Sequence, residues 1–300
     1  MKKTLALLFC AVLMSSSAFA DNGKKKFIDK DHDQQANDQR GNQGDDDQGN
    51  GPSNFARPGG LGNLVDHGGQ VLTNAKVVYI FWGWASNTTD PYVSEVISFR
   101  ASGMINHIGM LSQYRSTGST GFVGTQPDVF ASVPPSSTKV TDAMVQQKVA
   151  SSCAALPGGC KTDTIYEVFI PSGYYSDDGT GATSCGGPNL QYCAYHGNGD
   201  GVNLSAAIKY SIQPYPSCSG CHGKASWTAY NDQEHFIVHE TRESMTDAQL
   251  NAWYDRAGYE ADDKCAWGGS TLAFLFDETV GGHTYAYQME YSNSARNCVK

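Results

Sequence analysis

The stretch Asp232-Gln233-Glu234-His235-Phe236-Ile237-Val238-His239-Glu240-Thr241-Arg242-Glu243-Ser244-Met245-Thr246-Asp247-Ala248 decides how the rest of the chain is read. At 3.6 residues per turn it forms a helix with two unlike faces. Ile237, Val238, Thr241, Met245 and Ala248 fall on one side. His235, His239, Glu240, Glu243 and Asp247 fall on the other. Phe236 and Glu234 break the separation, each projecting among residues of the opposite kind. A helical His-Glu-x-x-Glu set suits a metal-centred hydrolase, although the common form ends in a second histidine.

Zinc takes neutral imidazole nitrogen and carboxylate oxygen, and a catalytic site keeps one position open. His239 and Glu243, at i and i+4, project from the same helical face and supply two ligands. Glu240 is then the general base that takes a proton from the attacking water. A third ligand must come from downstream, where Glu260 and Asp263 are the rival candidates. The gap from Glu243 to Asp263 is similar to that between the second helix ligand and the third in thermolysin-like enzymes. The alternative is a surface helix with an acidic, solvated face. Calcium suits a carboxylate-rich site but not His239.

The N-terminus reads as a secretory signal peptide over residues 1–20: Lys2 and Lys3, an apolar core over 5–14, and the small-x-small site Ala18-Phe19-Ala20. Cleavage removes both lysines and takes the net charge from −9 to −11. This acidic balance argues against nucleic acid and anionic membrane surfaces as partners. No other apolar run approaches a membrane span. The expected location is secreted or periplasmic. Residues 21–60 form an acidic, polar tract with almost no aliphatic side chains, expected to be a disordered linker. A single domain is expected over 61–300.

Within that domain, residues 77–83 read as a buried central strand. Residues 93–114 read as one long amphipathic helix weakened by Gly103 and Gly109, and a second helix is capped by Thr141 or Asp142. Residues 164–171 and 207–213 read as further strands, and 272–276 with 284–291 as a C-terminal hairpin. The order predicts an α/β or α+β domain: a mixed twisted sheet with packed helices, stapled by disulfides. It is similar to the upper half of zincin metalloproteases, where a twisted sheet backs the His-Glu helix.

Of nine cysteines, Cys10 lies in the signal peptide and eight remain, an even number that implies disulfides in an exported chain. Pairing of neighbours joins Cys153 with Cys160, Cys185 with Cys193, Cys218 with Cys221 and Cys265 with Cys298, although spacing alone fixes no connectivity. Cys218-Ser219-Gly220-Cys221-His222 also matches the attachment signature of haem c, with Met245 or Met289 as a conceivable second axial ligand. A plain disulfide or redox pair explains the cysteines without that cofactor. His67 and His107 read as single structural or exposed histidines. There is no Gly-x-Ser-x-Gly elbow and no phosphate-binding Gly-Lys-Ser/Thr loop.

Several blocks together resemble the phosphate-induced/EXORDIUM-type family of secreted proteins, in its bacterial branch. They are residues 67–73 and 77–83, Tyr192-Cys193-Ala194-Tyr195-His196-Gly197, the Cys218 and Cys221 pair, the helix from His239 to Asp247, Asn251-Ala252-Trp253-Tyr254, and residues 260–265. The resemblance implies export and disulfides, with His239, Glu240 and Glu243 acting as a unit with Glu260, Asp263 and Cys265. It also implies a rival to the enzyme, since plant members are cell-wall proteins tied to growth signalling without an established activity. The expected function is that of an exported zinc metalloprotease acting on a peptide or protein substrate, with a non-catalytic binding or signalling protein as the alternative.

Overall fold

A computed structural model describes residues 25–26, 62–114, 121–125, 127–266 and 274–300, with backbone alone at 25–26, 105–106 and 121–125. The expected signal peptide, Trp267 and all of the expected linker except Lys25–Lys26 lie outside the described residues. The chain is a mixed α+β structure built on one seven-stranded sheet. In chain order its strands are β1 (Lys25–Lys26), β2 (Asn74–Trp82), β3 (Gly121–Thr125), β4 (Val129–Ala131), β5 (Thr164–Ile170), β6 (Tyr195–Asn198) and β7 (Lys209–Pro214). They lie in the spatial order β1-β6-β7-β5-β2-β3, with β4 pairing further along β2. The β7-β5-β2 centre is parallel, as are β3 and β4 against β2, whereas β6 pairs antiparallel with β7 and β1 antiparallel with β6.

Parallel strands covered on both faces read as continuous apolar runs, and β2 and β5 do so. Val77, Tyr79, Phe81, Ile165 and Phe169 face a core shared with helices α1 (Pro91–Ser98) and α3 (Ala229–Thr246). Val78, Ile80, Tyr166, Val168 and Ile170 face the other core, filled by Val145, Val149 and Cys153 of α2 (Asp142–Ala154). The Thr141 side chain caps α2, as expected.

One expected element is corrected first. Residues 93–114 are not one α-helix. After α1 the chain winds as a π turn over Phe99–Gly103 and then as 3-10 over Met104–Tyr114, with His107 out of helical geometry. A Cβ on Gly103 would stand 2.7 Å from the Phe99 ring and 2.9 Å from the Tyr285 ring, so close packing rather than a helix break explains that glycine. Lys25–Lys26, within the stretch expected to be a linker, pairs with Tyr195 and His196 on β6.

The alternative of a solvated surface helix does not hold for α3. Its acidic face is not solvated: every residue from Asp232 to Thr246 is buried. The cause is a second cover that periodicity does not report. The C-terminal hairpin β8 (Leu275–Val280) and β9 (His283–Gln288) packs on α3 from the side away from the sheet. A helix held between two layers has no wet face, so its polar residues must find partners inside. Strands β10 (Glu290–Ser292) and β11 (Asn297–Val299) close the C-terminus as a further hairpin.

Four disulfides join the described residues. Cys153–Cys160 and Cys265–Cys298 pair as expected. The middle pairings cross instead, as Cys185–Cys218 and Cys193–Cys221. Cys185 and Cys193 flank the segment leading into β6, while Cys218 and Cys221 precede α3. The crossed pairs therefore staple the strand that carries His196 to the start of the helix that carries His239. These are the sulfurs that a haem c attachment would require, and His222 Nδ1 beside them meets Asp232 Oδ2 at 2.8 Å. Among the described residues no helix is long and apolar enough to cross a membrane.

Candidate metal centre

Burying α3 forces its polar side chains into specific partnerships, which fix the rotation of the helix. Towards the sheet, Thr241 Oγ1 donates to Glu167 Oε1 on β5 at 2.6 Å and Gln233 Nε2 donates to Gln213 Oε1 on β7 at 2.6 Å. Towards the hairpin, Ala286 N donates to Glu234 Oε2 at 2.8 Å and Arg242 Nη2 donates to the Gln288 carbonyl at 3.0 Å. Arg242 also grips the Asp262 carboxylate with both Nε and Nη2 and lies 3.5 Å from Glu290. A guanidinium fork matched to a carboxylate gives directional as well as electrostatic fixation.

Asp262 belongs to the segment that returns Glu260 and Asp263 to the helix. Glu243 Oε1 accepts the backbone N–H groups of Asp262 and Asp263 at 3.2 and 3.0 Å, and Asp263 Oδ2 accepts that of Glu260 at 3.3 Å. The Cys265–Cys298 disulfide and the Lys264 Nζ–Asp255 Oδ2 pair, at 2.9 Å, hold the same segment from behind. Both rival third ligands are thereby brought to the helix by one short loop.

The other Glu243 oxygen turns to two imidazoles. Oε2 lies 3.3 Å from His239 Nε2 and 3.6 Å from His196 Nε2. Each imidazole nitrogen also meets a second carboxylate: Asp263 Oδ1 at 3.8 Å from His239 Nε2, and Glu260 Oε2 at 3.3 Å from His196 Nε2. Two groups with metal-ligand geometry result, His239 with Glu240 and Glu243, and His196 with Glu243 and Glu260. All five expected site residues, His239, Glu240, Glu243, Glu260 and Asp263, therefore stand together. Asp247, on the same face by periodicity, does not join them, because its Oδ1 caps the backbone N–H groups of Asn251 and Ala252.

His196 is the residue that reading the sequence missed. It lies opposite Ser211 across the β6–β7 ladder, with its neighbour Tyr195 turned to the α2 core. Strand alternation therefore sends His196 to the α3 side. The block Tyr192-Cys193-Ala194-Tyr195-His196-Gly197 was visible, but nothing in its spacing ties it to a helix forty residues away.

The electrostatics follow from burial. His196, His239, Glu240 and Glu260 are at most 1% exposed, Glu243 2% and Asp263 7%. Burial, then the Glu243 charge, pushes the Glu240 carboxyl well above the usual carboxylate range. Both of its oxygens are buried and lack a hydrogen-bond partner. Burial pulls His239 below the usual imidazole value, although Asp262 and Asp263 act in the opposite direction, so the ring is a neutral donor. The Gln288 carboxamide lies beside His239 Nδ1, its Nε2 at 3.2 Å and Oε1 at 3.4 Å, and donates to the Asp262 carbonyl at 2.8 Å. An Nδ1–H donated to Oε1 is the tautomer that leaves Nε2 available to a cation. The helix neighbour His235 is driven down to about 3 by burial and packs against Trp227 and Phe236, which makes it a core imidazole and not a ligand.

The donor chemistry fits a divalent cation. A tetrahedral ion with bonds of about 2.0–2.2 Å spaces its ligands about 3.3–3.6 Å apart. The His239–Glu243, His196–Glu260 and His196–Glu243 separations fall in that interval, and His239–Asp263 lies just outside it. No family model, curated protein or solved structure matches the chain.

Proposed function

We propose that the protein is an exported, metal-dependent hydrolase, with zinc as the metal and a peptide bond as the scissile group. The carrying observation is Glu240: a carboxylate with both oxygens buried and unsatisfied, one residue along the helix from His239 and beside Glu243. Leaving such a group without a partner costs several kcal/mol, and a catalytic base is a reason to retain it. In this reading His239, Glu243 and Asp263 hold the metal, which supplies Lewis-acid polarisation of the substrate carbonyl and of the attacking water.

The residues of the chain do the remainder. Glu240 takes a proton from the attacking water and returns it to the leaving amine. A cation beside it favours its ionised form, reversing the effect of burial that holds the proton on in the metal-free chain. Gln288 sets the His239 tautomer, and Arg242 with Asp262 fixes the loop that presents Asp263 and Glu260. The Asp263 side chain, 10% exposed, marks where the cluster reaches towards solvent. Four disulfides suit an oxidising compartment, and a sheet backing the His-Glu helix is compatible with a zincin-like arrangement.

The depth of burial favours a second reading. A closed site whose ligands are almost wholly covered also suits a structural metal in a non-catalytic secreted protein of the EXORDIUM type. Glu240→Gln separates the two. The enzyme reading expects metal content unchanged and hydrolysis of a peptide library abolished. Full hydrolysis by metal-free protein, or wild-type protein that binds metal and cleaves nothing, overturns it.

A further inference from the structure

We infer that the cluster is a two-metal centre, in which Glu243 bridges one divalent cation held by His239 and Asp263 to a second held by His196 and Glu260. This rests on the reading of His239 and Glu243 as metal ligands and extends it to a second position.

Geometry gives the first argument. One oxygen, Glu243 Oε2, stands within ligand–ligand distance of two imidazole nitrogens that come from different elements, α3 and β6. Each imidazole Nε2 also has a second carboxylate beside it, Asp263 for His239 and Glu260 for His196. The downstream carboxylates are then not rivals for one position, because each completes a different one. A carboxylate shared by two positions is the arrangement of paired hydrolytic metals, which stand about 3.5–4 Å apart. Glu243 is suited to that role, since its Oε1 is already anchored by two backbone N–H groups.

Charge gives the second. Glu240, Glu243, Glu260 and Asp263 place four carboxylates in one buried volume. The adjacent guanidinium, Arg242, is committed to Asp262 and Glu290. Two dications balance four carboxylates, whereas one leaves two of them buried without a metal counter-charge. Glu240 adds an independent pointer, as its two oxygens are buried, lack hydrogen-bond partners and lie against the His239–Glu243 pair.

The test is metal stoichiometry on the full mature chain, loaded with zinc alone and freed of excess by gel filtration. Wild type is expected to carry two ions per chain, His196→Ala one and His239→Ala one, with the melting transition and disulfides confirming that each variant is folded. A measurement without variants stands beside it: manganese-loaded wild type should give the spin-coupled electron paramagnetic resonance spectrum of a pair and not the six-line pattern of isolated ions. One ion per chain in wild type with an isolated-ion spectrum overturns the inference while leaving a mononuclear hydrolase standing. Two ions without any peptide hydrolysis sustains the inference and overturns the enzyme reading instead. No bound ion overturns both.

Discussion

Glu243 Oε2 and His196 Nε2 lie 3.6 Å apart inside the protein, joining the central helix to an antiparallel strand that the sequence separates from it by β7 and the loop bearing Cys218 and Cys221. This contact closes the candidate centre, because it adds a second imidazole where the helical motif has a carboxylate. His196→Ala is therefore expected to lower metal content and peptide hydrolysis, while the far-ultraviolet circular dichroism stays that of the wild type. Unchanged metal and activity would remove His196 from the site.

Much of this was legible beforehand, for reasons that separate local from non-local physics. The β2 and β5 runs announce themselves by apolar continuity, and α2 by its Thr141 cap. His239, Glu240 and Glu243 follow from helical spacing, and Glu260 and Asp263 from their place downstream. The burial of Glu234, Glu240 and Asp247 was not legible, because it depends on the β8–β9 hairpin folding back over α3. The crossed Cys185–Cys218 and Cys193–Cys221 pairs and the position of His196 depend on the same kind of long-range closure. The break of residues 93–114 into α, π and 3-10 turns reflects packing at Gly103, which periodicity does not record.

Arg242 is the cation around which the downstream loop is arranged. Its replacement by alanine leaves Asp262 and Glu290 buried without their counter-charge, a change that typically costs about 3–5 kcal/mol. Thermal unfolding of Arg242→Ala is expected well below wild type, with metal affinity falling because Asp263 is no longer held. A variant that melts with the wild type would contradict the assigned role.

Glu234 makes stability depend on pH in an unusual sense. Burial raises its carboxyl to about 8, against an ordinary value of 4.5. Between those values the folded state keeps a proton that the unfolded state releases, so this group's contribution falls as pH rises from about 4.5 to about 8 and levels off above. Glu234→Gln removes the effect, because the amide has no proton to lose and its carbonyl can still accept from Ala286 N. Scanning calorimetry of metal-free protein should show the variant gaining on wild type between pH 5 and pH 8. Parallel profiles would exclude the assignment.

The crossed disulfides carry the strand–helix register. Replacing Cys185 and Cys218 by alanine together should lower stability by about 2–5 kcal/mol in denaturant unfolding and weaken zinc binding, since β6 is then less firmly tied to the start of α3. Peptide mapping under non-reducing conditions reads the connectivity itself. Recovery of a Cys185–Cys193 peptide would refute the crossing.

The central claim is that Glu240 serves as base beside a bound metal. Its most direct test measures zinc content and peptide hydrolysis together in wild type and Glu240→Gln. Zinc is expected to be retained in both, with hydrolysis falling by about two to four orders of magnitude in the variant. A variant that keeps its zinc and hydrolyses at the wild-type rate would contradict it.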